Sequence, residues 1–211
     1  MKKLLIWGAG DQGTVTLHCA LTMNVYEHID FLDFIEKGHR DIPGYMIFEE
    51  KDVELLHFLK DYDEVIVASG DNELREKKIA QLEMMNIPIA TIIHPMAVIS
   101  PFVTIGKGTT ILALASIQIN ASIGKGCIVN TGVIIEHDCI IQDFVNICPA
   151  VAMAGHVMIG HHTFMGIGST VIDDVKIGHH VTIGAGATVI CDIAEKSVAV
   201  GVPAKVIKKR S

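Results

Sequence analysis

A six-residue rhythm runs through the C-terminal half of the chain and restricts its fold more than any other feature. Stepping by six from Ile93 meets Ile99, Ile105, Ile111, Ile117, Ile123, Val129, Ile135, Ile141 and Ile147. It continues through Met153, Ile159, Met165, Val171, Ile177, Ile183 and Val189, so every position is a large aliphatic residue. Four residues after each lies a second register of mostly small or β-branched side chains, from Ala97 through Cys127, Cys139 and Val157 to Ile193. A period of six matches neither a 3.6-residue helix nor a long alternating strand. It matches a solenoid of short flat strands joined by tight corners, with one large residue per side pointing inward. Three sides make a coil of about 18 residues, so residues 93–193 hold roughly five and a half coils.

Charge marks where this architecture begins. Residues 1–90 carry 26 Asp, Glu, Lys or Arg, residues 91–193 carry nine, and residues 194–211 carry six, five of them basic. Three segments follow: 1–90, 91–194 and a basic tail, 195–211. The first alternates strand and helix. Lys3–Trp7, His28–Asp33, Glu64–Ala68 and Ile87–Ile93 read as strands. Thr14–Met23 reads as a helix, and so does Asp71–Met85, with Leu74, Ile79, Leu82 and Met85 on one side. The expectation is an α/β, Rossmann-like unit with a mostly parallel sheet, followed by an all-β solenoid.

Several classes are excluded. A net charge of −7 lacks the basic face that nucleic acid requires. The apolar run Leu4–Trp7 is too short for a secretory core. Residues 87–106 contain no charge, but Pro88, Pro95 and Pro101 argue against a membrane-spanning helix there. Five cysteines without paired spacing suit a reducing cytoplasm.

Gly8-Ala9-Gly10-Asp11-Gln12-Gly13 matches G-x-G-x-x-G between a strand and a helix, and Asp33 ends the next strand. Glycines let a backbone approach a pyrophosphate, the helix start favours its charge, and the acid can hold a ribose or base edge. Ser69-Gly70-Asp71-Asn72 sits at the next strand-to-helix turn, where it caps the helix and offers Gly70 and Asn72 to the same edge.

In Glu136-His137-Asp138 a histidine lies between carboxylates, two residues beyond inward Ile135, which puts it on an outward corner. A neighbouring carboxylate fixes the tautomer and supports the charge when the imidazole takes a proton. Eighteen residues on lies Gly155, whose N–H can meet a developing oxyanion.

The segments VNTGVIIEHD, IGHHTFMGIGSTV, IGAGATVI and VGVPAKVIKK resemble those of the hexapeptide-repeat sugar acetyltransferases, whose solenoid is a left-handed parallel β-helix. The subgroup contains bacterial nucleotide-sugar N-acetyltransferases and sialic acid O-acetyltransferase-like proteins, and the likeness covers essentially the whole chain. The resemblance implies acetyl-CoA as co-substrate, bound between neighbouring solenoids of a homotrimer, and a nucleotide-linked amino sugar as acceptor, with no metal. It implies His137 as general base, Asp138 as its orienting carboxylate and Gly155 as the amide at the thioester carbonyl. Gly8, Gly10, Gly13, Asp33, Gly70 and Asn72 fall at nucleotide-sugar positions. Two positions depart from the pattern. The usual G-A-x-G-H-x turn is GAGDQG here, and Asn146 stands where a second histidine is common, so that it can donate a hydrogen bond to acetyl-CoA but cannot act as an acid. Both departures bear on the acceptor. O-acetylation of a sugar hydroxyl is the competing reaction, and a non-catalytic scaffold the competing class.

Other candidates have plainer readings. His161-His162 and His179-His180, 18 apart, should stack at one corner as solvated residues. His156 and His161 share a spacing with the zinc ligands of γ-class carbonic anhydrases, but the third position, two coils earlier, is Asn120. Cys127 and Cys139 take inward packing positions. Lys205, Lys208, Lys209 and Arg210 form a basic end that can meet CoA phosphates.

Overall fold

The computed structural model describes residues 2–34 and 41–209. The chain divides into two compact units, Met1–Pro95 and Met96–Ser211.

In the first unit, β1 (Lys2–Trp7) is central, with Leu4, Leu5, Ile6 and Trp7 all buried. A strand covered on both faces reads as an unbroken apolar run, and this one does. It is flanked by β2 (Tyr26–Asp33) and β4 (Glu64–Val67), and β3 (Ile47–Glu49) adds to β2, giving a parallel sheet in the order β3-β2-β1-β4. Helix α1 (Asp11–Met23) begins three residues before the expected Thr14, because the glycine turn runs directly into it. It stops at Asn24, a left-handed residue with φ 53° whose N–H reaches the Leu21 carbonyl. A short helix, α2 (Leu55–Leu59), precedes β4. Helix α3 (Asn72–Met84) is capped by Asp71, whose carboxylate accepts from the N–H groups of Glu73 and Leu74. Ile79 and Leu82 of α3 are buried, whereas Leu74 is exposed and does not join that face.

The fourth strand is a correction. Ile87–Ile93 does not form a sheet strand as a whole. Ile89 makes one isolated bridge to Val65, and Ile92–Ile93 is a separate short strand. Pro88 supplies a carbonyl to Val65 but has no N–H to continue a ladder. The sheet's fourth strand is instead β3, three half-buried residues paired with Phe31–Asp33 at the edge opposite β4.

The second unit follows the rhythm closely. Strands of two residues recur every six, and each pairs in parallel with the strand 18 residues away, as Ser122–Ile123 does with Ile140–Ile141. They stack into three sheets, one per side. From Ile111 to Val189 every residue of the large register is buried, and so is every residue of the second register from Thr109 to Ile193. Ile99 and Ile105 lie in edge strands and are half-buried. The corners have a regularity of their own. Phe102, Asn120, Asp138, His156 and Asp174, spaced by 18, all have positive φ, between 59° and 63°. The other two corners repeat this at Leu114, Gly132, Ala150, Gly168 and Gly186, and at Gly108, Gly126, Phe144, His162 and His180. Such a conformation costs a non-glycine residue ~1–2 kcal/mol. Amide ladders hold it in place: Asp138 N–H donates to Ile119 O, His156 N–H to His137 O and Asp174 N–H to Gly155 O.

The basic segment is a hairpin. Ser197–Val200 pairs in parallel with Thr182–Ile183, and Lys205–Lys209 folds back antiparallel on it with its lysines exposed. Arg210 lies outside the described residues. No helix among the described residues is long and apolar enough to cross a membrane.

Candidate active site

The inward register of Ile135 turns the next corner outward and sets His137 on it, exposed, followed by Asp138 in the left-handed conformation. That backbone brings the Asp138 carboxylate back onto the ring, with Nδ1 of His137 2.9 Å from Oδ2. The other oxygen, Oδ1, accepts from Asn120 Nδ2 at 3.1 Å, one coil below. The hydrogen bond from His137, followed by that from Asn120, holds the Asp138 carboxyl below the ordinary carboxylate range. An ionised carboxylate at Nδ1 places the proton there and leaves Nε2 as the free basic nitrogen.

The coil above completes the corner. A Cβ placed on Gly155 would lie 2.5 Å from His137 Cε1, so glycine is the residue that lets the imidazole rest there. The Gly155 N–H donates to no described residue. The His156 ring stands edge-on to His137, centroids 5.1 Å apart. An exposed imidazole with a fixed tautomer beside an unengaged amide can accept a proton and stabilise an oxyanion. Asn146 lies elsewhere, buried in the strand Asn146–Ile147, where its Oδ1 accepts from Asn130 Nδ2 at 3.3 Å. Asn120, at the third position of the carbonic anhydrase comparison, is engaged with Asp138.

In the first unit, the C-terminal ends of β1, β2 and β4 open into a cavity of about 740 Å³. Parallel sheets bind ligands at this edge, where the strand order reverses, here between β1 and β4. Gly8, Gly10, Asp33 and Gly70 line it. Gly8 has φ 126°, and a Cβ on it would strike the Ala68 carbonyl, while one on Gly13 would strike Gly8 O. Asp33 fastens the turn: Oδ2 accepts from Ala9 N–H and Oδ1 from Phe34 N–H, both at 2.7 Å. Gln12 also lines the cavity, and its buried Nε2 has no hydrogen-bond partner among the described residues. Asn72 does not line the cavity; it accepts from Arg75 Nη2 at 2.7 Å, and the fully buried Arg75 also donates to Ser69 O, so the Asn72 oxygen braces the turn. A cluster that the sequence did not signal, Trp7 with Glu50 and Lys78, forms part of the cavity wall.

His161 and His179 stack at 4.0 Å as the 18-residue step predicts, but the four histidines of that corner are half-buried rather than solvated. Cys127 and Cys139 are fully buried, and burial pushes the Cys139 thiol up to about 11. A neutral buried thiol is a poor nucleophile.

A parallel sheet with a glycine turn in one unit and a six-residue solenoid bearing a His–Asp corner in the other are the features that the hexapeptide-repeat acyltransferases combine. Residues 3–82 match the model of the PglD N-terminal domain. The chain is 31% identical to PerB from Caulobacter crescentus, solved with CoA and GDP-perosamine, covering 98% of this chain and 97% of that one with a TM-score of 0.89. It is 30% identical to the acetyltransferase domain of PglB from Neisseria gonorrhoeae FA1090, covering 98% and 100%, TM-score 0.90. GDP-perosamine N-acetyltransferase of Escherichia coli O157:H7 is 26% identical over 172 residues, 79% of this chain and 76% of its own length. The chain belongs to the hexapeptide-repeat sugar acetyltransferases.

Proposed function

We propose that this chain transfers the acetyl group of acetyl-CoA to the amino group of a nucleotide-linked deoxyamino sugar, with His137 as general base. The observation that carries the chemistry is the His137–Asp138 hydrogen bond, which leaves Nε2 basic beside the unengaged Gly155 N–H. The neutral amine adds to the thioester carbon, forming the C–N bond while the carbonyl electron pair moves to oxygen. His137 Nε2 takes the proton that the amine loses, Asp138 supports the imidazolium, and Gly155 N–H stabilises the oxyanion. Collapse re-forms the carbonyl, breaks the C–S bond and releases CoA, whose sulfur receives the proton from the imidazolium. Direct attack of the amine on the thioester makes an acyl-enzyme unnecessary.

Residues 1–90 hold the nucleotide diphosphate in this scheme and residues 91–194 carry the transfer. The cavity at the sheet edge, Gly8 and Gly10 lining it, and the Gln12 amide left unpaired by the described residues support that division. The likeness to proteins named for GDP-perosamine supports a 4-amino sugar on a nucleoside diphosphate. The working form is a homotrimer. Exposed apolar residues on the outer faces of the solenoid, among them Val98, Ile134 and Ile140, support this by offering surface for neighbouring copies. Five cysteines without a disulfide support a cytoplasmic setting.

The test is direct. Purified protein with acetyl-CoA and a panel of GDP-, UDP- and dTDP-linked 4-amino sugars should release CoA thiol and add one acetyl group to one of them. Thiol release with none of the panel would overturn the reading. Light scattering should give three times the chain mass.

A further inference from the structure

Three side chains from separate elements meet on one wall of the sheet-edge cavity. Trp7 ends β1, Glu50 follows β3 and Lys78 lies in α3. Glu50 Oε1 accepts from Trp7 Nε1 at 2.7 Å and from Lys78 Nζ at 2.6 Å. The same ammonium stands 4.1 Å from the centroid of the Trp7 ring. Trp7 is 2% exposed, and the Lys78 and Glu50 side chains are 18% and 20% exposed. A charge pair held so far from water returns little net stability, so packing alone does not account for it. Both donors converge on Oε1. Oε2 receives nothing from any described residue, and the ammonium retains N–H groups beyond the one given to Glu50. The wall therefore presents a fixed anionic acceptor next to a fixed cationic donor, immobilised by the indole.

We propose that Glu50 and Lys78 read the base of the sugar nucleotide and select guanine. This rests on the nucleotide-sugar reading above. Guanine carries two adjacent donors, N1–H and the N2 amine, followed by the O6 acceptor. The donors meet the Glu50 carboxylate through Oε2, and O6 meets the Lys78 ammonium. Uracil and thymine place a single N–H between two carbonyls. Turning that N–H to Glu50 brings at least one carbonyl oxygen against the carboxylate, and a site built for donors rejects a ligand that lacks them.

Calorimetric titration of the full chain with GDP, inosine diphosphate and UDP, without acetyl-CoA, tests this. GDP should bind ~10- to 100-fold more tightly than inosine diphosphate, which lacks the N2 amine, and than UDP, the range set by loss of one charged hydrogen bond. Glu50→Gln keeps an oxygen for Trp7 and Lys78 but turns a donor toward the ligand. It should weaken GDP ~10- to 100-fold and bring the GDP-to-UDP ratio close to one. A variant that binds GDP as the parent does, or loses all three nucleotides in equal measure, would show that the cluster is structural and overturn the inference. The parent's own preference among the three decides the matter if the variant does not fold, and equal binding overturns it. Failure of the parent to bind any nucleoside diphosphate would remove the nucleotide-sugar reading as well, whereas a failed base preference with intact GDP binding leaves that reading standing.

Discussion

The two halves of the molecule hold their candidate functional residues in opposite ways. The solenoid displays His137 on an exposed corner, and the control lies in the backbone: left-handed Asp138 below, Gly155 above and an amide ladder between coils. The N-terminal sheet encloses its polar residues in a cavity, and the control lies in side-chain contacts, such as Asp33 on the Ala9 amide and Glu50 on Trp7 and Lys78. A reacting group needs access and a fixed proton. A recognising group needs desolvation and fixed partners.

The sharpest way to break this comparison is His137→Ala, which should lower kcat for acetyl transfer by ~10²–10⁴-fold with nucleotide binding unchanged. Steady-state kinetics beside a binding titration separates the two. Gly155→Ala should lower kcat by ~10–10²-fold, because its Cβ would sit 2.5 Å from the imidazole and push it aside. A variant of full activity would show that the corner is not held from above. Asp33→Ala leaves the Ala9 N–H without its acceptor and should raise KM for the sugar nucleotide about tenfold with kcat preserved. A fall in kcat alone would contradict the division between holding and transfer.

Smaller effects test the electrostatics. The folded Asp138 carboxyl titrates below its unfolded value. Its stabilising contribution is thus present above the unfolded pKa of about 3.9 and lost as pH falls through the lower folded value. A carbon NMR titration of the carboxyl should give a midpoint below the ordinary value, with His137→Ala raising it more than Asn120→Ala does. The reverse order would mean that the imidazole is not the main partner. The buried Cys19 and Cys139 thiols, raised to about 12 and about 11, should resist iodoacetamide at pH 8 while exposed Cys191 is alkylated.

Legibility differed between the halves for a physical reason. In the solenoid one residue in six must be large and buried, so the inward set, the outward turn at His137 and its neighbour Gly155 follow by counting. The left-handed corners did not show, because Asn120, Asp138, Ala150 and His162 adopt them without being glycine, the last three held by N–H groups that donate to the adjacent coil. In the sheet, the glycine turn and Asp33 announced themselves by local spacing. The β3 strand is three half-buried residues with no alternation, and Ile87–Ile93 looked the stronger candidate despite Pro88. Glu50 finds its partners 43 and 28 residues away, and no local pattern encodes that meeting.

The corner columns also set a rule for how such a rod can change length. Because left-handed residues recur every 18 positions on all three edges, excising or duplicating one complete turn returns each edge to register, whereas a gain or loss of a few residues puts aliphatic groups in water. Growth is thus quantised at ~4.8 Å, the spacing of neighbouring strands, and imidazole height along the axis can be tuned by whole storeys alone.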